Sequence, residues 1–63
     1  MRVTLNGEAV DAPAGATLAG LLGPVPAGHA AAVNGEVVPR ATHARHRLAD
    51  GDAVELVTAV AGG

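Results

Sequence analysis

Ala30-Ala31-Ala32-Val33-Asn34-Gly35-Glu36-Val37-Val38-Pro39 is the stretch that decides the fold. Taken alone, Ala30 to Val33 suits a helix or a strand, because so short an apolar run has no periodicity to separate the two. Asn34-Gly35 resolves the choice. The dipeptide supplies the positive φ angles of a two-residue hairpin turn, and Val37-Val38 beyond it are strand formers. The stretch therefore reads as a β-hairpin. Pro39, with no amide hydrogen to donate, ends it or confines it to a sheet edge.

The same signal stands near the N-terminus, where Asn6-Gly7 separates Arg2-Val3-Thr4-Leu5 from Glu8-Ala9-Val10-Asp11. Val3 and Leu5 alternate with Arg2 and Thr4, which predicts a hairpin with one buried and one wet face. Between the hairpins, Ala12-Pro13-Ala14-Gly15 interrupts the sheet and Thr17 is placed to cap a helix through its hydroxyl. Leu18, Leu21 and Leu22 form a single apolar stripe at helical spacing. Gly20 weakens that helix by roughly 1 kcal/mol relative to alanine. Gly23-Pro24-Val25-Pro26 ends it, so about two turns are expected.

Beyond Pro39, Ala41 to Arg47 is a polar segment with room for one irregular turn. Leu48 is expected to return to the core, and Asp50-Gly51-Asp52 is a turn. Ala53-Val54-Glu55-Leu56-Val57-Thr58 is the strongest strand of the chain, with Val54 and Leu56 on one face. Val60-Ala61-Gly62-Gly63 has nothing to pack and is expected to be a flexible tail over 60–63. Hairpin, helix, hairpin, turn and strand make an α+β arrangement of the β-grasp kind over residues 1–63, a single domain. One short helix lies across a mixed sheet of four to five strands. Architecture, rather than any local signal, puts the final strand parallel to the first in the middle of the sheet.

Composition narrows the function. A chain of 63 residues holds one small core. Nearly half of its apolar residues are alanine, and there is no Phe, Tyr, Trp or Ile, so Val and Leu must fill that core. There is no cysteine, hence neither a disulfide nor a thiolate metal site. The net charge of −2 and only four basic residues, all arginine, argue against nucleic acid. No apolar run is long enough to span a membrane, and Met1-Arg2-Val3 leads directly into strand residues with no signal-peptide core. A cytoplasmic location is the expectation.

Constellations for catalysis are missing as well. Without Ser or Cys, the nucleophile-and-base schemes built on them have no starting point. His43 and His46 have a spacing that one helical turn could turn into a metal pair, but in a polar loop they read as solvated side chains. Asp50-Gly51-Asp52 lacks the rest of a calcium loop, and no glycine cluster is followed by the Lys-Ser or Lys-Thr of a nucleotide cradle. No metal and no bound cofactor are expected. So small a chain can hardly enclose a pocket, so it reads as a substrate or a ligand of other proteins rather than as a catalyst.

The C-terminal dipeptide stands out against this background. With 9 glycines in 63 residues, a Gly-Gly ending arises by composition alone roughly once in 50. Chain ends are commonly frayed and unselected. Two residues without Cβ also make the narrowest possible chain, able to take any φ/ψ and to thread a tight channel. Such a tail could present the carboxylate of Gly63 to a nucleotide held by another enzyme. An acyl-adenylate formed there could be converted by a persulfide into a thiocarboxylate. Val57 and Ala59 should face away from Val54 and Leu56 and offer a partner an apolar patch beside the tail. Arg40 could pair with a partner carboxylate or simply solvate the end of a strand.

Four segments in order span nearly the whole chain: Val3-Thr4-Leu5-Asn6-Gly7; Ala16-Thr17-Leu18 with Leu21-Leu22; Val33 through Arg40; and Leu48 through Leu56, running on by Val60 to Ala61-Gly62-Gly63. This ordered set, with Val-Pro-Arg at its centre and Gly-Gly at its end, resembles the thiamine sulfur-carrier family (ThiS) and the wider ubiquitin-like β-grasp carriers. The resemblance implies that Gly63 is adenylated by a ThiF-type enzyme, which uses the ATP, and then carries sulfur from a sulfur donor protein to a ThiG-type thiazole synthase. Gly62 and Ala61 would keep the tail slim. The chain differs from the family in its helix, where Gly20 and Gly23-Pro24-Val25-Pro26 replace a longer polar helix, and in using Val and Leu where the carriers place Ile or an aromatic residue. The molybdopterin-synthase small subunit and other sulfur carriers share the fold and the tail chemistry. From a different class, a non-conjugating β-grasp interaction module would bind through its sheet and transfer nothing.

Overall fold

The computed structural model describes residues 1–58. Five strands form one sheet. In chain order they are β1 (Arg2–Leu5), β2 (Glu8–Asp11), β3 (His29–Val33), β4 (Glu36–Val38) and β5 (Ala53–Thr58), with the helix α1 (Leu18–Leu22) between β2 and β3. The spatial order is β2-β1-β5-β3-β4. The last strand thus lies at the centre, parallel to β1 and antiparallel to β3, as a β-grasp requires.

Both hairpins turn as the Asn-Gly pairs dictate. Asn6 and Gly7 take φ 50 and 85, and Asn34 and Gly35 take 52 and 85, the left-handed pair that matches the right-handed twist of the flanking strands. Pro39 follows β4 directly and the chain leaves the edge of the sheet there in a 3-10 turn, Arg40–Thr42.

Register fixes the two faces. Val3 pairs with Val10, Ala31 with Val38, and Val33 with Val54. These residues belong to the face that α1 covers. Leu18 reaches in from the helix and is fully buried against Ala31, Val33, Val38, Leu48 and Val54. Met1, Leu5, Leu21 and Leu22 pack around that cluster. Leu48 returns to the core as its sequence context predicts.

The helix is shorter than the two turns expected. It has five residues, because Gly23 caps it at φ 65 and Pro24 follows. Thr17 caps the start, its hydroxyl oxygen accepting from the Gly20 amide at 3.1 Å. Two further amides of the first turn find partners outside the helix: Leu18 N–H donates to His46 O at 2.8 Å and Ala19 N–H to His43 O at 3.0 Å. The segment around residues 43–46, which composition marks as a polar loop, therefore closes the helix N-terminus. His43 is also not solvated. Its ring is buried and Nε2 lies 3.0 Å from Val38 O.

Candidate functional site

The face of the sheet opposite α1 is read off the same register. Glu55 and Val57 alternate with Val54 and Leu56 on β5, so they point away from the helix. Ala30 pairs with Val57, and Ala32 with both Glu55 and Val37. The large apolar side chains exposed here are Val37 (65% exposed) and Val57 (38%). Ala30, partly buried, and Ala32, buried, lie between them. The result is a shallow apolar strip across β4, β3 and β5, with the carboxylate of Glu55 on it. Far to one side, Arg2 and Asp11 form an exposed ion pair at 2.9 Å, a contact of the sort that adds little stability.

Val57, expected to line a docking patch, is partly exposed on this outward face. Val37 belongs with it and was not singled out by sequence, because nothing local tells which residues of a three-residue edge strand look outward. Ala59, Ala61, Gly62 and Gly63 lie outside the described residues.

Arg40 is exposed at the strand end and also makes contacts within the chain. Its guanidinium donates to the carbonyl of Val25, to Pro26 O at 3.1 Å and to His29 O at 3.2 Å. One planar fork thereby ties the turn after α1 to the start of β3. His29 is the cross-strand partner of Thr58, the last residue of β5. Arg40 consequently braces the rung from which the chain continues towards Ala59.

Asp52 organises the other end of β5. Its carboxylate accepts from Ala49 N–H at 2.8 Å and from the Asn34 amide at 3.0 Å. The Ala49 N–H, then the Asn34 amide, hold the carboxyl below its ordinary range; nearby His46 adds to this and slight burial opposes it. Asn34 in turn accepts from Ala53 N–H at 3.0 Å. Among the described residues no three His, Cys, Asp or Glu side chains gather as a metal site. His43 spends Nε2 on Val38 O, which leaves no imidazole pair with His46.

An apolar sheet face lies beside the strand that leads into a narrow glycine ending, and the described residues assemble no nucleophile with a base. The strand order β2-β1-β5-β3-β4 with one short helix across it defines a ubiquitin-like β-grasp domain. The ThiS family model matches residues 3–63. The sulfur carrier protein ThiS of Escherichia coli (strain K12) is 38% identical, with all of both chains covered. A crystal structure of the thiamine biosynthesis protein ThiS from Geobacter metallireducens superposes with a TM-score of 0.79 at 30% identity, again over all of both chains. The chain belongs to the ThiS family.

Proposed function

We propose that this chain is a sulfur carrier of thiamine biosynthesis whose reactive group is the α-carboxylate of Gly63. The observation that carries the reading is the family match, which runs from the first strand through Gly62-Gly63. A sulfur carrier from Escherichia coli that aligns from end to end supports it.

A carboxylate resists attack at its carbonyl carbon. A ThiF-type enzyme overcomes this by joining the Gly63 carboxylate to the α-phosphate of ATP, with loss of pyrophosphate. The terminal sulfur of a donor persulfide then displaces AMP and forms an acyl persulfide. A thiol cleaves its S–S bond, leaving the thiocarboxylate on Gly63 and a disulfide on the thiol partners. A ThiG-type thiazole synthase takes the sulfur into its substrate in exchange for an oxygen atom from that substrate or from water, which restores the carboxylate. The groups that catalyse these steps belong to the partners, and this chain contributes the carboxylate, a slender tail and a surface to hold.

That surface is the strip formed by Val37, Ala32, Ala30 and Val57. Apolar residues grouped on one sheet face suit a protein partner, and Val57 lies on β5, the strand that precedes the tail in the chain. A cytoplasmic site of action accords with this reading. Adding one alanine after Gly63 tests it, because the carboxylate then sits one residue too far and beside a methyl group. Pyrophosphate release with ATP and the adenylating enzyme is expected to vanish for the extended chain. Release at the wild-type rate would overturn the assignment and favour an interaction module that transfers nothing.

A further inference from the structure

β5 outruns its neighbour. Thr4 N–H donates to Asp52 O at 3.0 Å and Asn6 N–H to Val54 O at 2.9 Å, so alternate residues of β5 turn their main-chain groups towards β1. The pairing ends at Leu5–Val54, because the chain then reverses through Asn6-Gly7. The next amide of β5 on that side belongs to Leu56, and β1 offers it no carbonyl. The side chain of Asn6 takes that place: its Oδ1 accepts from Leu56 N–H at 3.0 Å, across 50 residues of sequence.

Glycine alone would satisfy the backbone of this turn, since position 6 needs only a positive φ. The amide side chain does something further. It extends the ladder on the β1 side by one hydrogen bond, two residues before Thr58, while β3 pairs with Leu56, Val57 and Thr58 on the other side. We propose that Asn6 is a positioning residue for the carrier tail, fixing the direction in which β5 delivers it. This rests on the function proposed above.

The consequence is kinetic. Five residues follow Thr58. Should Leu56 to Thr58 come loose, the stretch from the last held rung to the terminus would lengthen from five residues to eight, and the effective concentration of the terminus in a partner's site would fall roughly two-fold from the −3/2 power of length. A partner holding the Val37–Val57 strip would bind as before, so the loss falls on kcat and not on KM.

Asn34 supplies a matched control. It occupies the same position in the other Asn-Gly turn and caps β5 at its opposite end, through Ala53 N–H. The experiment measures pyrophosphate release by the cognate adenylating enzyme with saturating ATP and varied carrier. It compares wild type, Asn6→Gly, Asn6→Asp and Asn34→Gly, with amide exchange followed by NMR. Both glycine variants keep the turn geometry. Asn6→Gly is expected to exchange faster at Leu56 and to lose about two-fold or more in kcat at unchanged KM. Asn6→Asp, which keeps an acceptor oxygen, should recover kcat, and Asn34→Gly should retain it. Equal losses in the two glycine variants, or none in Asn6→Gly, would overturn the positioning role. A wild-type chain that is not adenylated at all would instead remove the function on which the role depends.

Discussion

Nε2 of His43 lies 3.0 Å from the carbonyl oxygen of Val38, and the ring is buried between the 3-10 turn and β4. A carbonyl only accepts, so this nitrogen carries the hydrogen. The side chain thereby satisfies a strand carbonyl while its own main-chain oxygen caps α1 through Ala19. Replacing His43 by Ala removes buried volume and the second hydrogen bond to a carbonyl that already pairs with Ala31 in the ladder. The expected loss is about 2 kcal/mol, measured by urea unfolding. His43→Gln, which can still donate, should lose less. A chelator should not change the stability of the wild-type chain.

Arg40 offers a second test, since three carbonyls share one guanidinium. Arg40→Ala should reduce stability by about 1 kcal/mol, the group being exposed to solvent. It should also speed exchange of the His29 amide, which donates to Pro26 O at 3.2 Å. Arg40→Lys should not restore protection, because an ammonium cannot span the three acceptors. Protection unchanged in Arg40→Ala would show that the fork does not hold this turn.

Much of this architecture was legible in the sequence, and the legible part is local. The two Asn-Gly turns, the Thr17 cap and the Gly23-Pro24 stop each write their backbone angles into two or three adjacent residues. The central position of β5 also followed, because a strand arriving after two hairpins and a helix has its place set by the architecture. What escaped were contacts between residues far apart in the chain. Asn6 reads as a turn residue, and nothing near it announces Leu56. His43 reads as polar because its neighbours are polar; only the closing of residues 43–46 over α1 buries it. Arg40 sits in a recognisable Val-Pro-Arg stretch, but its acceptors come from a turn whose path Pro24 and Pro26 determine. The outward-facing apolar strip was half visible: Val57 follows from strand alternation, whereas Val37 needs the register of β4 against β3.

That strip gives a third prediction. Val37→Asp and Val57→Asp place charge on an exposed face, where stability should move by less than about 0.5 kcal/mol. Each should nevertheless raise KM for the carrier in the adenylation assay by about tenfold, the equivalent of 1.4 kcal/mol of partner binding. Unchanged KM in both variants would place the docking surface elsewhere.

Asp52 predicts a pH dependence. Its carboxyl is held below the usual value of 3.8, by Ala49 N–H first and the Asn34 amide second. A group with a depressed folded-state pKa contributes its stability above its unfolded pKa and loses it as pH falls through the folded value. The wild-type chain should therefore lose stability on acidification below about pH 4, by less than about 1 kcal/mol from this group because its hydrogen bonds lie at the surface and are screened by solvent. Asp52→Asn should be less stable at neutral pH and show a flatter acid limb in urea titrations.

The central claim concerns Gly63, and intact mass addresses it most directly. The chain is incubated with ATP, its adenylating enzyme, a persulfide donor and a thiol, beside a variant lacking Gly63. The sulfur-carrier account predicts that the wild-type chain gains the mass of one sulfur in place of one oxygen while the truncated chain does not change. An unchanged wild-type mass, with the same enzyme active on another carrier, would contradict it.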